Sequence, residues 1–139
     1  MNTYYHVCFT VPDLGAAMRD LSRVASLTWR EPRARRIGDW DYRIVFSEGP
    51  PYVELIEAAP GGPWGDTSKP GFHHFGFWSP DQEAESSRLE DEGFGVEFSG
   101  CPYGRPFAYH RVDSIGANVE LIDVSARPGF LETWGFPAS

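Results

Sequence analysis

The chain has 139 residues and a formal net charge of −8. That length is enough for one domain with a sizeable core, and the negative charge argues against a protein that binds nucleic acid through a basic surface. The single arginine-rich run, residues 33–36, is interpreted as a solvated strand or loop edge.

The sequence shows neither a signal-peptide pattern at its start nor an apolar run long enough to cross a bilayer. Its two cysteines, Cys8 and Cys101, have neither metal-ligand spacing nor the pattern of a disulfide framework. We therefore expect a cytoplasmic, soluble protein with no membrane partner.

The first half of the chain predicts the order βαβββ. Residues 4–11 are rich in aromatic and β-branched side chains, which favours a strand. Asp13 is the predicted N-cap of a helix whose apolar residues recur at helical spacing to about Leu27. Three further strands are predicted over residues 28–33, 40–47 and 52–58.

Alternation along the first strand separates its side chains into two sets. Val7, Phe9 and Val11 form the apolar set, on which the helix is expected to pack. His6 belongs to the other set and should therefore point away from the helix.

The second half repeats this order after a Pro/Gly-rich connector, residues 61–71. Its helix is predicted to begin with Ser79 as N-cap, in a capping box with Gln82, and to end at Gly93. Strands are predicted over residues 95–98, 105–112 and 117–124. The apolar tail, residues 125–139, is expected to cover a sheet face or a subunit contact, with a lid over a pocket as the weaker alternative.

The predicted fold class is α+β, a single domain built from two βαβββ modules. The modules comprise residues 1–60 and 72–124. We expect a pseudo-twofold arrangement in which curved mixed sheets enclose a cavity and the helices lie outside.

The duplication is visible in the sequence itself. His74 and Asp81 match His6 and Asp13 at a separation of 68 positions. The motif Val-Glu-Leu-Ile followed by an acid occurs twice, at a separation of 66 positions, and places Glu54 and Glu120 in register. Each half thus carries one strand histidine and one strand glutamate.

These four side chains are the candidate metal ligands. A strand histidine or glutamate taken alone is more often a hydrogen-bonded core residue or a solvent-facing one. A carboxylate in an apolar strand is nevertheless costly to bury unless it is paired or metal-bound, and here the arrangement occurs twice. Two imidazoles and two carboxylates suit one divalent ion of borderline hardness, such as Zn, Ni, Co, Mn or Fe.

The ordered set of motifs resembles the vicinal oxygen chelate superfamily, which includes glyoxalase I, methylmalonyl-CoA epimerase, extradiol dioxygenases and the bleomycin and fosfomycin resistance proteins. The motifs are His6-Val-Cys-Phe-Thr-Val-Pro-Asp, Val53-Glu54-Leu-Ile-Glu, His73-His74-Phe-Gly-Phe and Val119-Glu120-Leu-Ile-Asp. The resemblance implies metal ligation by His6, Glu54, His74 and Glu120.

Because all four ligand positions are filled, the resemblance implies an isomerase or lyase that acts through an enolate or enediolate. It names Glu120 as the first choice of base and Glu54 as the second. Arg43 and Tyr109 are matched across the modules, since each lies eleven residues before its Glu. The expected substrate contacts are Cys8, Thr10, Arg43, Tyr52, Trp78, Tyr109 and Asn118.

Two other functions use the same fold. One is metal-independent sequestration of an aromatic antibiotic or natural product, which the high aromatic content allows. The other is ring cleavage by an Fe(II) dioxygenase. The metal site of such enzymes resembles a set of two histidines and one carboxylate, in which Glu54 would have no role. In each case the partner is a small molecule, and we expect a homodimer.

Overall fold

The structure is a computed structural model that describes residues 2–137. It forms two compact units. The first unit comprises residues 6–73, and the second unit comprises residues 2–5 and 74–137. The module boundaries inferred from the repeat remain a prediction.

Both halves of the chain have the order βαβββ, so the predicted α+β class is confirmed. The first half contains β1 Thr3–Thr10, α1 Leu14–Ala25, β2 Arg33–Ile37, β3 Trp40–Phe46 and β4 Tyr52–Ala58. The second contains β5 Gly71–Ser79, α2 Gln82–Asp91, β6 Val96–Ser99, β7 Phe107–Val112 and β8 Ala117–Asp123, followed by α3 Arg127–Trp134. No helix among the described residues is long and apolar enough to span a membrane.

In the first unit the strand order is β2-β3-β4-β1, with β1 parallel to β4 and the other neighbours antiparallel. His6 lies opposite Tyr52 and Cys8 opposite Glu54. Because paired residues point to the same side of a sheet, His6 and Glu54 share one face.

Helix α1 covers the opposite face of this sheet. Val11, Leu14, Val45 and Leu55 form a buried cluster there. The predicted separation of the helix from His6 is therefore confirmed. Phe9, expected under the helix, is still 37% exposed.

In the second unit the strand order is β5-β8-β7-β6, again with one parallel pair, β5 and β8. His74 lies opposite Asn118, and Gly76 lies opposite Glu120. Helix α2 contacts the other face, where Ser86 Oγ is 2.8 Å from the Nε2 atom of His110. His74 and Glu120 therefore face away from α2.

The helices begin at equivalent aspartates. The carboxylate of Asp13 accepts a hydrogen bond from the backbone N–H of Ala16, at 3.0 Å, and Asp81 accepts one from Ala84, at 3.1 Å. The predicted Ser79 cap is wrong, because the Ser79 hydroxyl donates to Glu85 instead. The predicted termination by Gly93 is confirmed: α2 ends at Asp91, Glu92 is its C-cap, and Gly93 follows with φ 93°.

A second acid ties each helix to its sheet. The N–H of Leu14 donates to Glu57 at 2.7 Å, and the N–H of Gln82 donates to Asp123 at 3.0 Å. Glu57 and Asp123 are the acids that end the two Val-Glu-Leu-Ile motifs. In each motif the second acid lies three residues after the first, so the two side chains point to opposite faces of the strand. Each motif thus supplies a candidate ligand on one face and an acid that anchors the helix on the other.

One predicted strand is misplaced. Residues 28–32 contain only an isolated bridge between Trp29 and Ser47, and β2 begins at Arg33. The Trp29 indole donates to the carbonyl of Met18, which holds this segment against α1. Pro32 has no N–H to donate to a ladder and delays the strand. The arginine-rich run is the exposed outer strand β2 of this unit, as predicted.

The apolar tail forms α3 and covers part of the second unit. The Phe130 ring lies 4.8 Å from the Tyr5 ring and 5.9 Å from that of Trp78. Phe136 packs against Phe130 at 5.5 Å. The tail therefore buries an aromatic surface, and its last residues, 138 and 139, lie outside the described range.

We predict that Asp123→Asn destabilises the protein by about 1–2 kcal/mol at neutral pH, because the anchor loses its charge. Hydrogen bonds from the Ser125 side chain, the Gln82 backbone and the Ser125 backbone hold the pKa of Asp123 below its usual 3.8. A carboxyl group whose pKa is lower in the folded protein than in the unfolded chain stabilises the fold when the pH is above the unfolded pKa. This contribution disappears as the pH falls through the folded pKa. The Tm difference between the two proteins should therefore be largest near neutral pH and should shrink as the pH falls below about 3.8. A Tm difference as large at pH 2 as at pH 7 would contradict the role of the charge.

Candidate metal centre

The first unit buries a histidine against a glutamate. The His6 Nε2 atom lies 3.2 Å from Glu54 Oε1, and the two residues are 1% and 7% exposed. His6 comes from β1 and Glu54 from the parallel neighbour β4, where Cys8 occupies the register position opposite the glutamate. A carboxylate this deeply buried requires a cation or a hydrogen-bond donor beside it.

The second unit repeats the pair with nearly the same geometry. The His74 Nε2 atom lies 3.1 Å from Glu120 Oε1, and these residues are 0% and 7% exposed. They come from the parallel strands β5 and β8. The repeat in the sequence predicted one such histidine and one such glutamate in each half.

Both pairs fit cis ligands of a divalent metal. Two ligand atoms about 2.1 Å from one ion lie about 3.0 Å apart at an octahedral angle and about 3.4 Å apart at a tetrahedral one. The observed 3.2 Å and 3.1 Å fall within that range. Imidazole nitrogen and carboxylate oxygen are also the donor types that a borderline divalent ion prefers.

An aromatic ring packs beside each histidine. The His6 ring is 5.8 Å from Phe46, and the His74 ring is 4.8 Å from Tyr109. Phe46 lies opposite Glu54 in the β-ladder, and Tyr109 lies opposite Glu120. Phe46 is therefore the structural counterpart of Tyr109.

The predicted match between Arg43 and Tyr109 is wrong. The residue opposite the glutamate lies 8 positions before Glu54 but 11 positions before Glu120, so the two hairpins differ in length. Arg43 lies opposite Glu57 on the α1 side of the sheet. Its guanidinium is 3.9 Å from that carboxylate and its side chain is 52% exposed. Arg43 is not on the face that carries His6 and Glu54.

The other predicted contacts remain on the faces expected for them. Cys8 and Thr10 are buried and share the face of His6, and half-buried Tyr52 lies beside His6 in register. Trp78 is buried on the face of His74, where its ring stacks on Tyr5 at 4.2 Å. Their contact with a substrate stays a prediction.

One acid beside the second pair was not predicted from the sequence. Asn118, 1% exposed, lies beside His74 in register, and its side-chain amide donates to Glu97 Oε2. Glu97 sits at an irregularity in the β6–β7 ladder, between Val96 and Phe98. A ladder irregularity has no reliable sequence signal, so only the folded strands reveal this contact.

Comparison with known structures identifies the fold. Methylmalonyl-CoA epimerase from Mycobacterium tuberculosis aligns with a TM-score of 0.64 at 17% identity, over 92% of this chain and 91% of that one. A variant of the Streptomyces coelicolor epimerase in complex with 2-nitronate-propionyl-CoA gives 0.60 at 15%, over 88% and 98%. A mutant of 4-hydroxymandelate synthase from Streptomyces coelicolor gives 0.62 at 14%, over 88% of this chain and 48% of that one.

Identities this low establish the fold alone, which is the vicinal oxygen chelate fold. No curated protein matches the chain by sequence. The sequence model of one family does match, over residues 5–112. With more than half of its length matched, the chain belongs to the glyoxalase/bleomycin resistance protein/dioxygenase superfamily.

Proposed function

We propose that the protein is a divalent-metal-dependent isomerase or lyase that removes a proton from the carbon beside a carbonyl group of a small molecule. The observation that carries this proposal is the pair of buried His–Glu contacts, 3.2 Å and 3.1 Å long, one in each unit. The matching geometry in two halves of a duplicated chain favours a function that needs both pairs.

In this proposal the two pairs bind one ion through His6, Glu54, His74 and Glu120. Two neutral imidazoles and two carboxylates would balance the charge of a divalent cation, and these four ligands would leave room for substrate oxygens if the ion were six-coordinate. The candidate ions are those predicted from the sequence: Zn, Ni, Co, Mn or Fe.

The chemistry divides between the ion and the side chains. A bound divalent ion acts as a Lewis acid that stabilises negative charge on the substrate oxygens. The chain supplies the proton acceptor, for which the superfamily resemblance names Glu120 first and Glu54 second. Buried rings beside the histidines, Phe46 and Tyr109, keep water away and strengthen every charge interaction at the site.

The buried pairing of Glu54 with His6 supports this class of chemistry over ring cleavage, and epimerases occur among proteins of the same fold. Two of the structures described above are methylmalonyl-CoA epimerases, and one was solved with 2-nitronate-propionyl-CoA. A dioxygenase site of two histidines and one carboxylate would leave Glu54 without a role, yet Glu54 is 7% exposed and paired with His6.

Sequestration of an aromatic compound is the second candidate. Trp40 and Trp64 line a groove of about 280 Å³ in the first unit, and the Trp64 ring lies 4.7 Å from Tyr42. Pockets for drug-sized ligands span about 300–1,000 Å³, so this groove is at the small end. The homodimer and the cytoplasmic location stay predictions.

Metal analysis tests the ligand set. Protein purified without a histidine tag and loaded with Zn, Co or Mn should hold about one ion per chain by mass spectrometry of the metal. His6→Ala and His74→Ala should each weaken metal binding at least about 10-fold. His73→Ala is the matched control, because its side chain alternates to the other face of β5, and it should bind normally. Two ions per chain, or loss of binding in only one of the two ligand variants, would contradict a shared site.

Proton exchange tests the reaction class. The metal-loaded protein should accelerate deuterium uptake beside the carbonyl of methylmalonyl-CoA or hydroxyacetone by at least about 100-fold over the metal-stripped protein. Proton NMR in deuterated water measures the rate. Equal rates with and without metal would exclude metal-dependent enolate chemistry. Undiminished binding of an aromatic compound after His6→Ala, without exchange, would favour sequestration.

A further inference from the structure

Glu97 is an acid that a β-bulge places on the face of the second His–Glu pair. Val96 lies opposite His110 and Phe98 lies opposite Tyr109, so Glu97 is the extra residue in the β6–β7 ladder. A bulge redirects the side chain of the inserted residue and is common beside active sites.

The hydrogen bond to Asn118 shows where the Glu97 carboxylate lies. Asn118 is on β8, two residues before Glu120 and on the same face, and it lies opposite His74. The intervening strand β7 contributes Tyr109 and Arg111 to that face. The side chain of Glu97 therefore reaches across β7 to donors that stand beside the candidate ligands.

Glu97 and Glu120 differ in ways that matter for proton transfer. Glu120 is 7% exposed and lies against His74 Nε2, whereas Glu97 is solvent-exposed and is held by a neutral amide. A carboxylate that ligates a divalent ion shares its negative charge with the ion and becomes a weaker base. A carboxylate that is bound only to a neutral amide does not share its charge with an ion and can accept a proton from a substrate.

We propose that Glu97, and not Glu120, takes the proton in the proposed reaction, and that Asn118 is its positioning residue; this rests on the proposed metal-dependent function. In the step, the substrate C–H bond breaks and an O–H bond forms on Glu97. The electron pair of the broken bond moves to the carbonyl oxygen, giving the enolate. Return of the proton to carbon restores Glu97, so no further reactant is needed.

Two readouts together test this. Acetohydroxamic acid presents two neighbouring oxygens to a metal, so its affinity in calorimetric titration reports whether the metal-loaded site binds a chelating ligand. Deuterium exchange beside the carbonyl of hydroxyacetone, followed by proton NMR in deuterated water, reports the removal of the proton.

Glu97→Gln should bind the hydroxamate with wild-type affinity but exchange deuterium at least about 100-fold more slowly, since an amide cannot accept the proton. Asn118→Ala should give an intermediate exchange rate, because the carboxylate is no longer held. Glu90→Gln, an exposed acid on α2, is the matched control and should behave like wild type. Metal content measured on each variant shows that the ion is still bound.

A wild-type exchange rate in Glu97→Gln with the metal in place would assign the proton to another group and overturn the role of Glu97. Failure of wild-type protein to bind the hydroxamate in a metal-dependent way would instead overturn the proposed function itself. The two failures are therefore distinguishable.

Discussion

The burial of one carboxylate beside one imidazole in each unit is the constraint on which the rest of the structure depends. Glu54 and Glu120 are each 7% exposed, and a buried carboxylate without a partner is strongly destabilising. Removing one member of such a pair typically costs about 3–5 kcal/mol, because the other charge stays buried. The chain therefore has to bring parallel strands together so that the histidine and the glutamate meet.

The short motif that supplies each glutamate also fixes the helix behind it. Side chains on a strand alternate between faces, so an acid three residues after the glutamate points to the opposite side. That acid, Glu57 or Asp123, accepts a hydrogen bond from the first N–H of the neighbouring helix. The helix is thus anchored on the face away from the His–Glu pair, and the pair's face remains available for a ligand.

The two halves carry matched His–Glu pairs but differ in the side chains around them. Phe46 stands where the second half has Tyr109, and Tyr52 stands where it has Asn118. The hydroxyl of the first half thus lies on the residue opposite the histidine, and that of the second half on the residue opposite the glutamate. The second half also has an amide and, through the bulge, the Glu97 carboxylate. The two matched pairs therefore have different surroundings, and the proposed proton acceptor Glu97 belongs to the second half.

The sequence by itself determined the βαβββ repeat, the two His–Glu sets and the face on which each histidine lies. These features follow from strand periodicity and from a duplication that keeps residues in register. Only the tertiary structure decided that Phe46, not Arg43, is the counterpart of Tyr109, and that Glu97 reaches Asn118. Both depend on which residues stand opposite each other across neighbouring strands. Hairpin length and a bulge set that register, and neither is fixed by local side-chain chemistry.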